Sequence, residues 1–135
     1  NEENMAVRNA LKDVVETPVS PELLPADQSG NIAQKTEDLV GPYELHDFFL
    51  YNFMKHGFSP AKILFLAENA FSIYDRATIL KWMKTFFRRF FAQQFKRSAS
   101  PDGVKVWEFG LSPRGDWQMP SDASSKMWLN ECEKL

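Results

Sequence analysis

Between Asp75 and Arg97 the large apolar residues Ile79, Met83, Phe86, Phe87, Phe90, Phe91 and Phe95 step by three and four positions. That is the period of one helical face. Five of the seven are phenylalanines, and the face they define is too wide for a helix left without protein packing. Lys81, Lys84 and Arg88 flank it on one side, and Arg89, Gln93 and Lys96 on another. A chain built around such a helix must supply further helices to cover it, so the fold is expected to be mainly α.

The rest of the sequence offers those helices. Met5, Val7, Leu11, Val14 and Val15 recur at helical spacing and predict a first helix over 1–15, ended by Pro18. Three prolines within residues 18–25 forbid regular helix and favour extended backbone. Residues 26–40 hold Ser29-Gly30-Asn31 and few large apolar groups, and read as a loop, a length more often functional or mobile than idle. Gly41-Pro42 punctuates the chain. A second helix follows to about Lys55, with Tyr43, Leu45, Phe48, Phe49, Tyr51 and Phe53 on a wide apolar face and Gly57 as its C-terminal cap. Ser59-Pro60 places an N-cap before a first-turn proline, so a third helix runs to about Ala70. Asp75 caps a fourth and longest helix, to about Arg97. After Ser98 the turn residues Pro101, Asp102-Gly103, Pro113, Gly115 and Pro120 break the pattern. Lys105-Val106-Trp107-Glu108-Phe109 alternates like a short strand. Ser121 or Asp122 caps a last short helix holding Met127, Trp128 and Leu129.

Length and composition narrow the function. A chain of 135 residues, 44% hydrophobic and 14% aromatic, suits one core. The net charge of −2 is not that of a generic polyanion binder, but it is uneven. Residues 1–47 carry ten acidic and three basic side chains, and residues 81–97 carry six basic and none acidic. That asymmetry points to an anionic ligand or partner at the second segment. With Cys132 alone no internal disulfide forms, which fits a reducing cytoplasm. No apolar run approaches the roughly 18 residues of a membrane span. No GxGxxG and no GxxxxGK[ST] loop is present, and His46 and His56, ten apart, do not have a zinc spacing. Cys132 has no local histidine and reads as a buried or idle thiol. The chain opens on Asn1 and lacks a complete catalytic site, so it is expected to be the C-terminal piece of a larger enzyme.

Two segments draw attention as candidate sites. Phe86-Phe87-Arg88-Arg89-Phe90-Phe91 sets paired arginines beside paired phenylalanines. It reads as a core helix with a solvated charged edge, as a helix whose end at Phe95-Lys96-Arg97-Ser98 faces an anion, or as a calmodulin-like or membrane-surface helix. In Leu111-Ser112-Pro113-Arg114-Gly115-Asp116-Trp117, the tryptophan can stack on a flat heterocycle or fill a core gap. Asp116 can accept from hydroxyl or amine donors or pair with Arg114.

Four stretches, in order, resemble the glutamine-dependent NAD+ synthetases of bacteria. They are Thr17-Pro18-Val19-Ser20-Pro21-Glu22-Leu23, Gly41-Pro42-Tyr43-Glu44-Leu45-His46-Asp47-Phe48-Phe49, Gln94-Phe95-Lys96-Arg97-Ser98, and Ser112-Pro113-Arg114-Gly115-Asp116-Trp117 with Pro120-Ser121-Asp122. Their order and spacing look like the C-terminal part of the synthetase domain. In that family the domain is a doubly wound α/β, adenine-nucleotide-binding fold of ATP-pyrophosphatase type, and this chain would be its C-terminal helical segment. One departure is Val104 in Pro101-Asp102-Gly103-Val104-Lys105-Val106, where members often carry a second proline; it loosens the turn.

The resemblance implies an ATP-dependent amidation of deamido-NAD+ through an adenylated intermediate, with ammonia made from glutamine by a nitrilase-like domain. ATP and Mg2+ would serve the intact enzyme, and neither would be bound by this piece alone. The phosphate-binding loop and the glutaminase cysteine lie upstream in the family, so no catalytic residue and no metal ligand is assigned here. Residues 16–42 would form a flap closing over the activated intermediate, 43–97 a helical core, and 98–135 a substrate-closing tail with a short helix. Ser20 falls where members place a hydroxyl near the ATP phosphates. Lys96 matches the lysine that reaches the nicotinate end of deamido-NAD+, and Asp116 the aspartate that helps close that pocket. Glu22, Arg97 and Arg114 are candidate contacts within the same motifs. The expected partners are the rest of the same polypeptide and, in a homo-oligomer, further copies of it, with neither nucleic acid nor membrane. The other readings are a non-catalytic module binding an anionic partner through 75–97, and a C-terminal oligomerisation segment.

Overall fold

The computed structural model describes residues 2–17 and 36–135, in two units, Asn1–Leu39 and Val40–Leu135. In the first unit, helix α1 spans Glu2–Glu16. Its apolar residues Met5, Val7, Leu11, Val14 and Val15 are all exposed. A five-residue helix, α2, runs Thr36–Val40 with Glu37 and Asp38 in its first turn. The loop expected over 26–40 is therefore corrected at its end. Two carboxylates beside the unpaired N–H groups of a helix start favour a turn of helix there. The remainder of the expected flap, residues 18–35, lies outside the described residues.

The second unit is a helical assembly around the phenylalanine stripe. Its helices are α3 (Tyr43–His56), α4 (Pro60–Ala70), α5 (Arg76–Ala92), α6 (Gln94–Ala99) and α7 (Lys126–Cys132). Local chemistry sets the boundaries as the sequence suggests. Gly57 closes α3 in the left-handed conformation at φ 63°, where a glycine carries no Cβ penalty. Ser59 Oγ accepts from Lys62 N at 3.5 Å with Pro60 in the first turn of α4. Asp75 Oδ1 accepts from Thr78 N at 2.8 Å at the head of α5.

Helix α5 packs on α3, α4 and α7. Its buried residues Ile79, Met83, Phe86, Phe87, Phe90 and Phe91 meet Leu45, Phe49 and Phe53 of α3, spaced four apart, and Ile63, Leu64 and Ala67 of α4. Apart from Ala67, each of these side chains removed from water contributes about 1.5–3 kcal/mol before chain entropy is subtracted. Phe53 is the hub: its ring lies 5.2–6.4 Å from those of Phe86, Phe87, Phe90, Phe91, Trp117 and Trp128. The aromatic half of the basic-aromatic motif is thus core. A calmodulin-like or membrane-surface use of that face is excluded by its burial.

Three further expectations are corrected. The fourth helix does not continue to Arg97; it stops at Ala92, and α6 starts at Gln94. Buried side-chain bonds made by Gln94 and Arg97, described below, compete with the uninterrupted ladder. Residues 105–109 form no strand, and the described residues contain none. Val104 and Val106 are each 92% exposed, so the alternation has no buried face, and a lone strand has no ladder partner. The last helix begins at Lys126, after Ser125, rather than at Ser121 or Asp122; those two residues sit in a turn in which Ala123 N donates to Pro120 O at 3.1 Å. The doubly wound sheet implied by the resemblance is not among the described residues.

Candidate functional site

The break between α5 and α6 creates a corner where helix end and tail meet. Gln94 is fully buried. Its Nε2 donates to Met119 O at 3.2 Å, and its Oε1 accepts from Arg97 Nε at 3.0 Å and Nη2 at 2.6 Å. Arg97 Nη2 also donates to Phe90 O at 2.6 Å, a carbonyl in the last turn of α5. The Arg97 guanidinium lies 4.5 Å over the Phe90 ring. Burial lowers its pKa from the ordinary value, yet an arginine remains charged in such a setting.

Helix α6 presents Lys96 in its last turn, exposed, whereas Gln94 and Arg97 are tied inward and the hydroxyls that follow bond to backbone carbonyls. Ser98 Oγ donates to Gln94 O at 3.1 Å and Ser100 Oγ to Lys96 O at 3.0 Å. Across from this helix end, Ser112 O accepts from Gly115 N at 3.3 Å and from Trp117 N at 3.1 Å. That closes a tight turn holding both Arg114 and Asp116. Arg114 reaches back from it: Nη1 donates to Ser98 O at 3.2 Å, Nη2 to Ser100 O, and Nε to Asp102 Oδ1 at 2.7 Å. Arg97 and Arg114 line one cavity of about 190 Å³ with Ser100, Pro101, Leu111 and Ser112.

Asp116 Oδ1 accepts from Lys105 Nζ at 2.9 Å. It also lies against Gly110, where an added β-carbon would stand 2.7 Å from Asp116 Oδ2 and push the carboxylate away. Beyond Gly110 opens a cavity of about 500 Å³ walled by Leu50, Tyr51, Trp107, Phe109 and Leu111, with Asp47 at its polar side. Lys55 Nζ pairs with Glu108 at 2.5 Å and ties this part of the tail to α3. Trp117 fills a core gap, with its ring 5.4 Å from Phe53 and 5.3 Å from Phe90.

The structure therefore joins the stretches bearing Lys96 and Arg97 to those bearing Arg114 and Asp116. No direct bond joins Lys96 to Asp116 among the described residues. Ser20 and Glu22 lie outside the described residues. Gln94 and Lys105 were not singled out from sequence as site residues. Gln94 had a signal: it continues the spacing Met83, Phe87, Phe90 on the apolar face, so a polar group there must find buried partners. Lys105 had none, because its pairing depends on the tail's path.

No protein-family model matches the chain. Over 147 aligned residues it is 41% identical to the glutamine-dependent NAD(+) synthetase of Mycobacterium leprae, covering 95% of this chain and 22% of that protein. The enzymes of the same name from Mycobacterium bovis and Mycobacterium tuberculosis are 39% identical over 147 residues, again 95% of this chain, and 21% of theirs. The chain thus spans about a fifth of the length of the curated relatives it matches.

Proposed function

From the relationship of nearly this whole chain to a segment of the glutamine-dependent NAD(+) synthetases, we propose that it works as the substrate-closing part of an ATP-dependent amide ligase. In the proposed reaction the nicotinate carboxylate of deamido-NAD+ attacks the α-phosphorus of ATP and pyrophosphate leaves. Glutamine-derived ammonia then attacks the acyl carbon, and AMP departs as NAD+ forms. An acyl-adenylate must be shielded from water until ammonia arrives. The stretch 16–42 is proposed as the flap that does this, with Ser20 near the ATP phosphates and Glu22 beside it.

The observation that carries the reading is the corner itself. The two motif stretches at 94–98 and 112–117 lie together, with a lysine displayed at the helix end and a carboxylate on the facing turn. Lys96 would offset the charge of the nicotinate carboxylate and of the adduct. Asp116 would accept from substrate hydroxyl or amine donors. Among the described residues no group of three His, Cys, Asp or Glu side chains converges to hold a metal. The Mg2+ accompanying ATP is proposed to be held by the rest of the longer polypeptide. No helix of the described residues is long and apolar enough to cross a membrane. The proposed setting is the cytoplasm, within a longer polypeptide that assembles as a homo-oligomer and supplies the nucleotide-binding core and glutaminase.

In the intact synthetase, Lys96→Ala is expected to raise KM for deamido-NAD+ or lower kcat by about tenfold or more, the scale of one charge-assisted contact. Unchanged kinetics would refute the role. The isolated chain is expected to form no NAD+; robust synthesis by it would overturn the division of labour. Salt-sensitive polyanion binding, indifferent to ATP and deamido-NAD+, would favour an interaction module instead.

A further inference from the structure

Arg114 stands in a motif that invites reading as a second cation for the substrate, but its guanidinium is already engaged. Two of its nitrogens donate to the carbonyls of Ser98 and Ser100, where α6 ends, and the third donates to Asp102. The last carbonyls of a helix have no partners within the helix. A planar fork can take two of them at once in fixed directions, which a lysine ammonium on a flexible stem does not reproduce. Lys96 lies one turn upstream of those carbonyls, and its own carbonyl is held by Ser100 Oγ at 3.0 Å. Asp116 lies two residues beyond Arg114 in the turn closed on Ser112 O.

We propose that Arg114 is a positioning residue, whose guanidinium clamps the end of α6 to the 112–117 turn and so sets the placement of the Lys96 ammonium relative to the Asp116 carboxylate. The role rests on the reading of Lys96 and Asp116 as substrate contacts. The clamp itself is a property of the unliganded chain. Arg97 braces the other side of the same helix through Gln94 and Phe90, so the loss of Arg114 frees the end of α6 without unseating its start. Asp102 completes the clamp by holding the guanidinium plane from the solvent side; its own side chain is 88% exposed.

The test uses intact synthetase carrying Arg114→Ala, Arg114→Lys and Lys96→Ala singly, and Arg114→Ala with Lys96→Ala. Amide hydrogen exchange without ligand is followed in peptides covering 94–100 and 112–117. Both Arg114 variants should exchange at least several-fold faster in these peptides, with the rest of the helical unit unchanged. KM for deamido-NAD+ should rise about tenfold in both. A residue binding substrate by charge alone would be largely rescued by lysine. In the double variant, Arg114→Ala should add less than about twofold, since it acts through Lys96. Unaltered exchange in both peptides, or wild-type KM in Arg114→Lys, would overturn the proposal. If Lys96→Ala alone proves kinetically silent, the substrate role of Lys96 fails, and the exchange data still decide whether Arg114 is a clamp.

Discussion

Gln94 is the residue through which core and candidate site are most tightly coupled, and replacing it by leucine tests that coupling. Leucine is similar in size and suits the helix, so the change removes bonds with little loss of packing. Two of those bonds are charge-assisted, from Arg97 to Gln94 Oε1 at 3.0 and 2.6 Å, and one is neutral, from Gln94 Nε2 to Met119 O at 3.2 Å. The neutral bond contributes about 1 kcal/mol. The arginine pair contributes about 2 kcal/mol together, below the full value for two charged bonds because Arg97 is partly exposed and keeps its bond to Phe90 O. Burying leucine in place of an amide returns about 1 kcal/mol. The expected net loss is about 2 kcal/mol, roughly a thirtyfold change in the folded-to-unfolded ratio.

The assay is urea unfolding followed by the fluorescence of Trp117 and Trp128, whose rings both contact Phe53. The midpoint should fall without a change in slope. A double-mutant cycle with Arg97→Met should show coupling of about 1–2 kcal/mol, since both side chains share the removed bonds. A Gln94→Leu protein within about 0.5 kcal/mol of the parent, or additive single changes, would refute a role for these bonds in ending α5 at Ala92.

Other parts of the same core give independent outcomes. Burial lowers the pKa of His46, aided by Arg89 and opposed by its bond to Val40 O and by Asp47. The unfolded chain therefore binds the proton more readily, so stability should fall as pH drops below about 6.5 and level off above it; His46→Gln should flatten that slope in denaturation measured across pH. Burial raises the Cys132 thiol to about 11, leaving a thiolate fraction on the order of one in a thousand at pH 8. Alkylation by iodoacetamide should accordingly be more than about a hundredfold slower in the folded protein than in urea. Gly41, at φ 94°, would place a β-carbon 2.4 Å from the Trp82 ring, whereas Gly57, at φ 63°, has nothing within 4 Å of that point. Gly57→Ala should cost about 1 kcal/mol in thermal unfolding and Gly41→Ala clearly more.

The helical core was readable because its signals are local. Ser59 and Asp75 cap by reaching three residues ahead, Gly57 relieves strain at its own φ, and the stripe from Ile79 to Phe91 repeats at the period of the helix it forms. The break at Gln93 was not readable, because its causes lie partly in the tail: Met119 O, 25 residues away, receives the Gln94 amide. The alternation of Lys105 to Phe109 misled for the complementary reason. A two-residue period marks a strand only where one face is buried and a ladder partner exists, and Val106 and Trp107 are both exposed. The choice left open for Trp117 turned on Phe53 and Phe90, which sequence separation hides. The stretches at 94–98 and 112–117 could be matched as motifs, but their union depends on an arginine whose three partners lie 12 to 16 residues upstream.

The bonds in that corner also separate three cations of the matched motifs, of which the resemblance singles out Lys96 and leaves Arg97 and Arg114 as candidate contacts. Arg97 is turned toward Gln94 and Phe90, and Arg114 toward the end of α6. Among the described residues no hydrogen bond or ion pair holds the Lys96 ammonium. An anion reaching this corner would have to break existing bonds to engage either arginine, at a cost near that of a charged hydrogen bond. Meeting Lys96 would break no hydrogen bond or ion pair among the described residues. Asp116 differs from Lys96 in already having a partner, so on the proposed reading a donor group of the substrate would either share the carboxylate with Lys105 or replace it. A carboxylate has two oxygens and about four acceptor positions, and the 2.9 Å bond uses Asp116 Oδ1. Asp116 Oδ2 lies against Gly110, so on the proposed reading sharing would use the acceptor positions that Lys105 and the Gly110 backbone leave open, with Lys105 holding the carboxylate in place.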